Sequence, residues 1–144
     1  MDFDFSYLDM AFINGQVVTV NEKDEICEAV GIKKNKIVYV GSNEEIKQLI
    51  TPETKVIDLG GRTMCPGFID SHIHIESSYV CPEEIGRLLV PHGGTTIMAD
   101  PHEIVNVCGI AGLDYMMKAA ENTVLDVKYE LPSCVPATQF EHSG

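Results

Sequence analysis

The sequence predicts an α/β fold in which a small β unit, residues 1–62, precedes parallel strand–helix units over residues 63–144. Two observations carry this. Residues 8–60 offer short β-branched runs separated by turn residues, as a small β unit requires. After Met64-Cys65-Pro66-Gly67 the rhythm changes to strand, helix, strand, helix, strand, the pattern of parallel βαβ units.

In the first segment Asn14-Gly15 is a two-residue turn signal, because both residues tolerate positive φ. The runs QVVTV, EAVGI and KIVYVG read as strands, the last two joined by the turn Lys33-Lys34-Asn35-Lys36. NEEIKQLI reads as a short amphipathic helix ahead of Pro52, and KVIDLGG as one more strand. No catalytic cluster falls in this segment.

In the second segment FIDSHIHI reads as a strand. PEEIGRLLVPHGG reads as a helix with Pro82 in its first turn, Glu83 and Glu84 at its positive end and Gly93 to stop it. TTIMAD is the second strand, GIAGLDYMMKAAE (Gly109 to Glu121) the second helix, and VLDVKYELPS the third strand. A 144-residue chain suits one domain or part of a larger one.

Composition excludes several classes. The net charge of −12 disfavours binding to nucleic acid or an anionic membrane. Neither half compensates: residues 1–60 hold 6 Lys against 11 acids, and residues 61–144 hold 4 basic residues against 11 acids. Five scattered cysteines without a C-x-x-C pair read as reduced thiols of a cytoplasmic protein. The opening MDFDFSYLDM lacks the features of a signal peptide, and no apolar run is long enough for a membrane span.

Ligands of βαβ folds bind at the carboxyl ends of the strands. There the sequence places His72, His74 and Glu76 on the first strand, Asp100-Pro101-His102-Glu103 after the second, and Ser133 to Thr138 at the third. Residues i and i+2 of a strand share a face, so His72 and His74 can converge on one metal ion, or be two half-buried histidines. Glu76 continues the alternation if the strand reaches it. Asp100 to Glu103 can cap a helical turn, with Glu103 bonding back, or serve as ligand, proton shuttle or substrate contact. His92 suits a helix C-terminus and Cys134 a small buried site. His74-Ile75-Glu76 matches the H-x-E half of the zinc nucleobase deaminases, but their P-C-x-x-C is missing. H-E-x-x-H fails as well, and there is neither a phosphate loop nor G-x-G-x-x-G.

The stretch PGFIDSHIHIESS resembles the first barrel strand of the amidohydrolase superfamily, with its P-G-x-[IV]-D-x-H-x-H pattern. HIESS, VPHGGTTIMADPHEI and AENTVLDVKYELPSCVPATQFEHSG, together with NGQVVTV and GIKKNKIVYVG, resemble the adenine deaminase family from about residue 8 to 144. The resemblance implies the first three βα units of an incomplete TIM-like (β/α)8 barrel, with residues 1–62 belonging to a composite small domain. It implies a binuclear divalent-metal centre, Mn2+ first and Fe2+ or Zn2+ as alternatives, with His72 and His74 as ligands. Glu76, Asp100, His102 and Glu103 become the catalytic candidates. The implied reaction converts adenine and water to hypoxanthine and ammonia in purine salvage: an activated water attacks C6 and an acid protonates the departing amine. The full-length enzyme is expected to be a homo-oligomer. His142 and Gly94 stand where the family more often has Thr.

Family members are several hundred residues longer, so the sequence is expected to be an N-terminal portion, inactive alone because later ligands are missing. Another amidohydrolase (dihydropyrimidinase-like or deacetylase-like), a non-catalytic remnant and a complementing subunit are the alternatives.

Overall fold

A computed structural model describes residues 7–132. The chain divides into two units between Pro66 and Gly67.

The first unit contains β1 (Met10–Ile13), β2 (Gln16–Val18), β3 (Ile26–Cys27), β4 (Ala29–Lys33), β5 (Lys36–Gly41), α1 (Asn43–Ile46), β6 (Lys55–Asp58) and β7 (Thr63–Met64). These make two sheets, ordered β5-β4-β1-β6 and β3-β2-β7. The Lys33–Lys36 turn closes the expected hairpin: β4 and β5 pair antiparallel with Lys33 opposite Lys36, and Lys34 and Asn35 take φ of 48° and 59°. That geometry matches the twist of paired strands. Asn14-Gly15 does otherwise. Asn14 has φ 56°, yet β1 pairs with β4 and β6 whereas β2 pairs with β3 and β7, so the turn passes the chain from one sheet to the other. Asn14 is held there by its side chain, which donates to Asp58 Oδ2 at 3.0 Å. Ser42 caps α1 by accepting the Glu45 N–H, and Ile46 is buried with Leu8, Ala11 and Ala29.

The second unit is an α/β layer with β8 (Phe68–Ile73), α2 (Pro82–Leu89), β9 (Gly94–Ala99), α3 (His102–Cys108), α4 (Ile110–Ala120) and β10 (Asp126–Tyr129). The three strands are parallel in the order β10-β9-β8, as the alternation predicts. Helix α2 starts on Pro82 and runs through a 3-10 turn, Val90–His92, to Gly93 at φ 93°. Its Ile85 joins Ile75, Ile97, Ala99, Met116 and Leu125 in the core, with Leu89 packed against them. The i, i+4 spacing of Ile85 and Leu89 presents one apolar stripe to the sheet. Tyr129 Oη donates to the Met116 carbonyl at 2.8 Å and ties β10 to α4.

Three expectations are corrected here. The first strand stops at Ile73, so His74 lies just past it and Glu76 opens a 3-10 turn, Glu76–Ser78, outside the strand alternation. Asp100 does not cap a helix: α3 begins at His102 with Pro101 at its N-cap and no side-chain cap. The helical stretch therefore starts seven residues before Gly109, which separates α3 from α4 with φ 61° and ψ −149°, a conformation essentially reserved for glycine. The third strand is shorter than VLDVKYELPS. Its expected polar end, Ser133 to Thr138 with Cys134, lies outside the described residues, as does His142.

Candidate metal centre

Parallel neighbours in register bring their carboxyl ends to one edge, and backbone bonds lock them there. The Asp100 N–H donates to the Ile73 carbonyl and the Glu130 N–H to the Ala99 carbonyl, each at 2.9 Å. The residues just past Ile73, Ala99 and Tyr129 are therefore level with one another. They are His74, Asp100 and Glu130.

His72 comes from the irregular end of β8, where its pairing with β9 shifts between Asp70 and Ile73. The His72 N–H is satisfied by Asp70 Oδ1 at 3.1 Å. The His72 and His74 rings stand edge to face with centroids 4.9 Å apart, and His74 repeats that arrangement with His102 at 4.8 Å. His102 and Glu103 reach the same place from the first turn of α3.

Three carboxylates lie against the three imidazoles, and a fourth holds the helical turn beside them. His74 Nδ1 is 3.1 Å from Glu103 Oε2, and His102 Nδ1 is 3.3 Å from Asp100 Oδ2 and 3.7 Å from Glu103 Oε2. His72 Nδ1 is 3.6 Å from Glu130 Oε1. A carboxylate only accepts hydrogen bonds, so Glu103 fixes the hydrogen of His74 on Nδ1 and leaves the Nε2 lone pair available. Ser77 Oγ donates to the other Glu103 oxygen at 3.4 Å. The fourth carboxylate, Glu76, points its Oε1 at the Ile104 N–H, 3.2 Å away.

Two trios of donors result, His72–His74–Asp100 and His74–His102–Glu103, each with its ligand atoms within 4.8 Å of one another. They share His74. Among the described residues, Asp100 Oδ1 is shielded from solvent and has no hydrogen-bond partner. A shielded carboxylate oxygen without a partner is costly unless a cation compensates it, and imidazole with carboxylate donors suits Mn2+, Fe2+ or Zn2+. The residues fit a divalent metal.

Of the residues expected from sequence, His72, His74, Asp100, His102 and Glu103 are gathered in these trios, and Glu76 stands behind them. Glu130 is an addition. Its position was legible only through the register that sets Tyr129 opposite Ala99, since the strand pattern put the polar end of the third strand three residues later, from Ser133. His92 ends a 3-10 turn and takes no part in either trio.

The amidohydrolase family model matches residues 63–144. The chain is 56% identical over 136 residues to adenine deaminase 2 of Desulfotalea psychrophila, covering 94% of this chain and 22% of that protein. It is 46% identical to the adenine deaminase of Geobacillus kaustophilus and 41% identical to that of Bacillus subtilis, with the same coverage. The chain thus spans about a fifth of the length of the curated relatives it matches. Among solved structures, an uncharacterized metal-dependent hydrolase from Pyrococcus furiosus aligns at 24% identity with a TM-score of 0.42, covering 63% of this chain and 22% of that one.

Proposed function

The chain belongs to the amidohydrolase family, and from that premise we propose that it forms the N-terminal, metal-binding part of an adenine deaminase. The observation that carries the reading is the pair of donor trios sharing His74 at the carboxyl edge of three parallel strands. The relatives, named as adenine deaminases and aligned along 94% of the chain, supply the substrate class. On this reading β8, β9 and β10 are the first strands of a (β/α)8 barrel, and the remaining strands supply the rest of the centre.

His72, His74 and Asp100 would hold one divalent cation, and His102 with Glu103 would face a second beside His74. When bound, such a metal supplies Lewis acidity and lowers the pKa of water to near neutrality. The chain's own residues do the rest. Glu103 holds a proton on His74 Nδ1 and so orients its ring. Asp100, by accepting from His102 Nδ1, leaves the lone pair of His102 on Nε2. That nitrogen either faces the second cation or, with no cation there, takes a proton from the attacking water and returns it to the amine leaving C6 of adenine. The three carboxylates that face the imidazoles, Asp100, Glu103 and Glu130, favour a cation and a neutral purine over an anionic substrate. The unpaired cysteines Cys27, Cys65, Cys81 and Cys108 agree with a cytoplasmic setting. No described helix is long and apolar enough to cross a membrane.

The test is a substrate panel of adenine, dihydropyrimidines and N-acetylated compounds, assayed with Mn2+ or Fe2+ on the longest polypeptide that the gene encodes. Adenine should be the best substrate, and His72→Asn should abolish hypoxanthine release. Preference for a dihydropyrimidine or an N-acetyl compound would overturn the assignment.

A further inference from the structure

We infer that Glu76 is a positioning residue whose carboxylate clamps the first turn of α3 and so sets how His102 and Glu103 stand to His74; this rests on reading the cluster as a metal centre. The first N–H groups of any helix lack intrahelical acceptors and need one from elsewhere. In α3 the N-cap residue is Pro101, which has no side-chain acceptor, and the nearby Asp100 is turned to His102 instead.

The acceptor comes from 28 residues earlier: Glu76 Oε1 takes the Ile104 N–H at 3.2 Å. Ile104 directly follows His102 and Glu103, and Glu76 lies two residues beyond His74. One carboxylate thus joins the segment bearing one imidazole to the helical turn bearing the other imidazole and a carboxylate. Its neighbour Ser77 repeats the link by donating to Glu103 Oε1. Glu76 Oε2 is shielded from solvent without a hydrogen-bond partner among the described residues, so the side chain is held inside the unit. It belongs to neither donor trio. What α3 needs from it is an oxygen that accepts, and glutamine carries one.

The experiment compares the 144-residue chain with its Glu76→Gln and Glu76→Ala variants in two measurements: hydrogen exchange of the Ile104 amide, and Mn2+ affinity by titration. Glu76→Gln should keep the Ile104 amide protected and bind Mn2+ within about threefold of wild type. Glu76→Ala should expose that amide and weaken Mn2+ binding by about 10- to 100-fold, the range for losing a residue that orients metal ligands. Equal loss of affinity in both variants would overturn the inference, because the charge rather than the acceptor would then matter. Unchanged Ile104 protection in Glu76→Ala would overturn it too. If wild type fails to bind Mn2+, the metal-centre reading falls, while the exchange data still decide whether the clamp exists.

Discussion

His74 Nδ1 meets Glu103 Oε2 at 3.1 Å although the two residues are 29 positions apart in sequence. One follows β8 and the other opens α3 after β9, so the contact exists only because the two strands are parallel neighbours in register. Glu103→Gln retains an acceptor of the same shape but removes the charge. The variant should fold normally and bind Mn2+ or Zn2+ at least about tenfold more weakly, as calorimetric titration can establish. Unchanged affinity would show that Glu103 neither binds nor orients a ligand at the centre.

The same geometry predicts a metal-linked stability that depends on His72. This side chain is 55% exposed, so His72→Asn leaves no cavity and should hardly change the melting of the metal-free chain. With Mn2+ at 100 times its Kd, wild type should gain about 2.7 kcal/mol. His72→Asn should gain far less, and EDTA should erase the difference. An equal gain in both proteins would remove His72 from the ligand set.

Gly112 is predicted to be intolerant of a side chain because α4 approaches α3 closely there. A Cβ at this buried position would stand 2.8 Å from the Ile104 carbonyl oxygen and 2.9 Å from the Cys108 Cβ. Alanine favours a helix interior by about 1 kcal/mol over glycine. The clash outweighs that gain, since overpacking costs about 1–3 kcal/mol and here displaces backbone. Urea denaturation of Gly112→Ala should show net destabilisation, with weaker Mn2+ binding as α3 moves. A variant more stable than wild type would mean that the helices separate freely.

The strand–helix alternation was readable because each core residue sits on a period that the sequence displays: Ile85 with Leu89 on α2, Ile97 with Ala99 on β9. The donors were readable because strand ends carry chemistry in such folds. What was hidden depended on pairings made at a distance. Asn14-Gly15 has the local chemistry of a hairpin, but the partners of β1 and β2 lie elsewhere in the chain and decide the outcome. A helical turn after Asp100-Pro101 was readable, but its cap and its extension into α3 were not, because the acceptor used for the Ile104 N–H belongs to Glu76, 28 residues away, and not to Asp100. Glu130 was missed because its level in the sheet follows from register, which no single strand encodes.

Tyr129 makes stability fall at alkaline pH. Burial first, and then the negative charges of Glu76 and Glu83, push its phenol up to about 12. An unfolded tyrosine titrates near 10. Below about pH 10 both states hold the proton and the stabilising contribution is complete. Between about 10 and 12 the unfolded chain releases its proton while the native one keeps it, so stability declines as pH rises. Discounted for solvent screening of a half-buried ring, the loss should be about 1 kcal/mol. Lysines and other tyrosines also titrate in this range, so the comparison is with Tyr129→Phe, which lacks the bond to the Met116 carbonyl and the titration alike. From pH 9 to pH 11.5 the stability gap between wild type and Tyr129→Phe should narrow by that amount in urea denaturation. A constant gap would mean that the phenol titrates alike in the folded and unfolded chains.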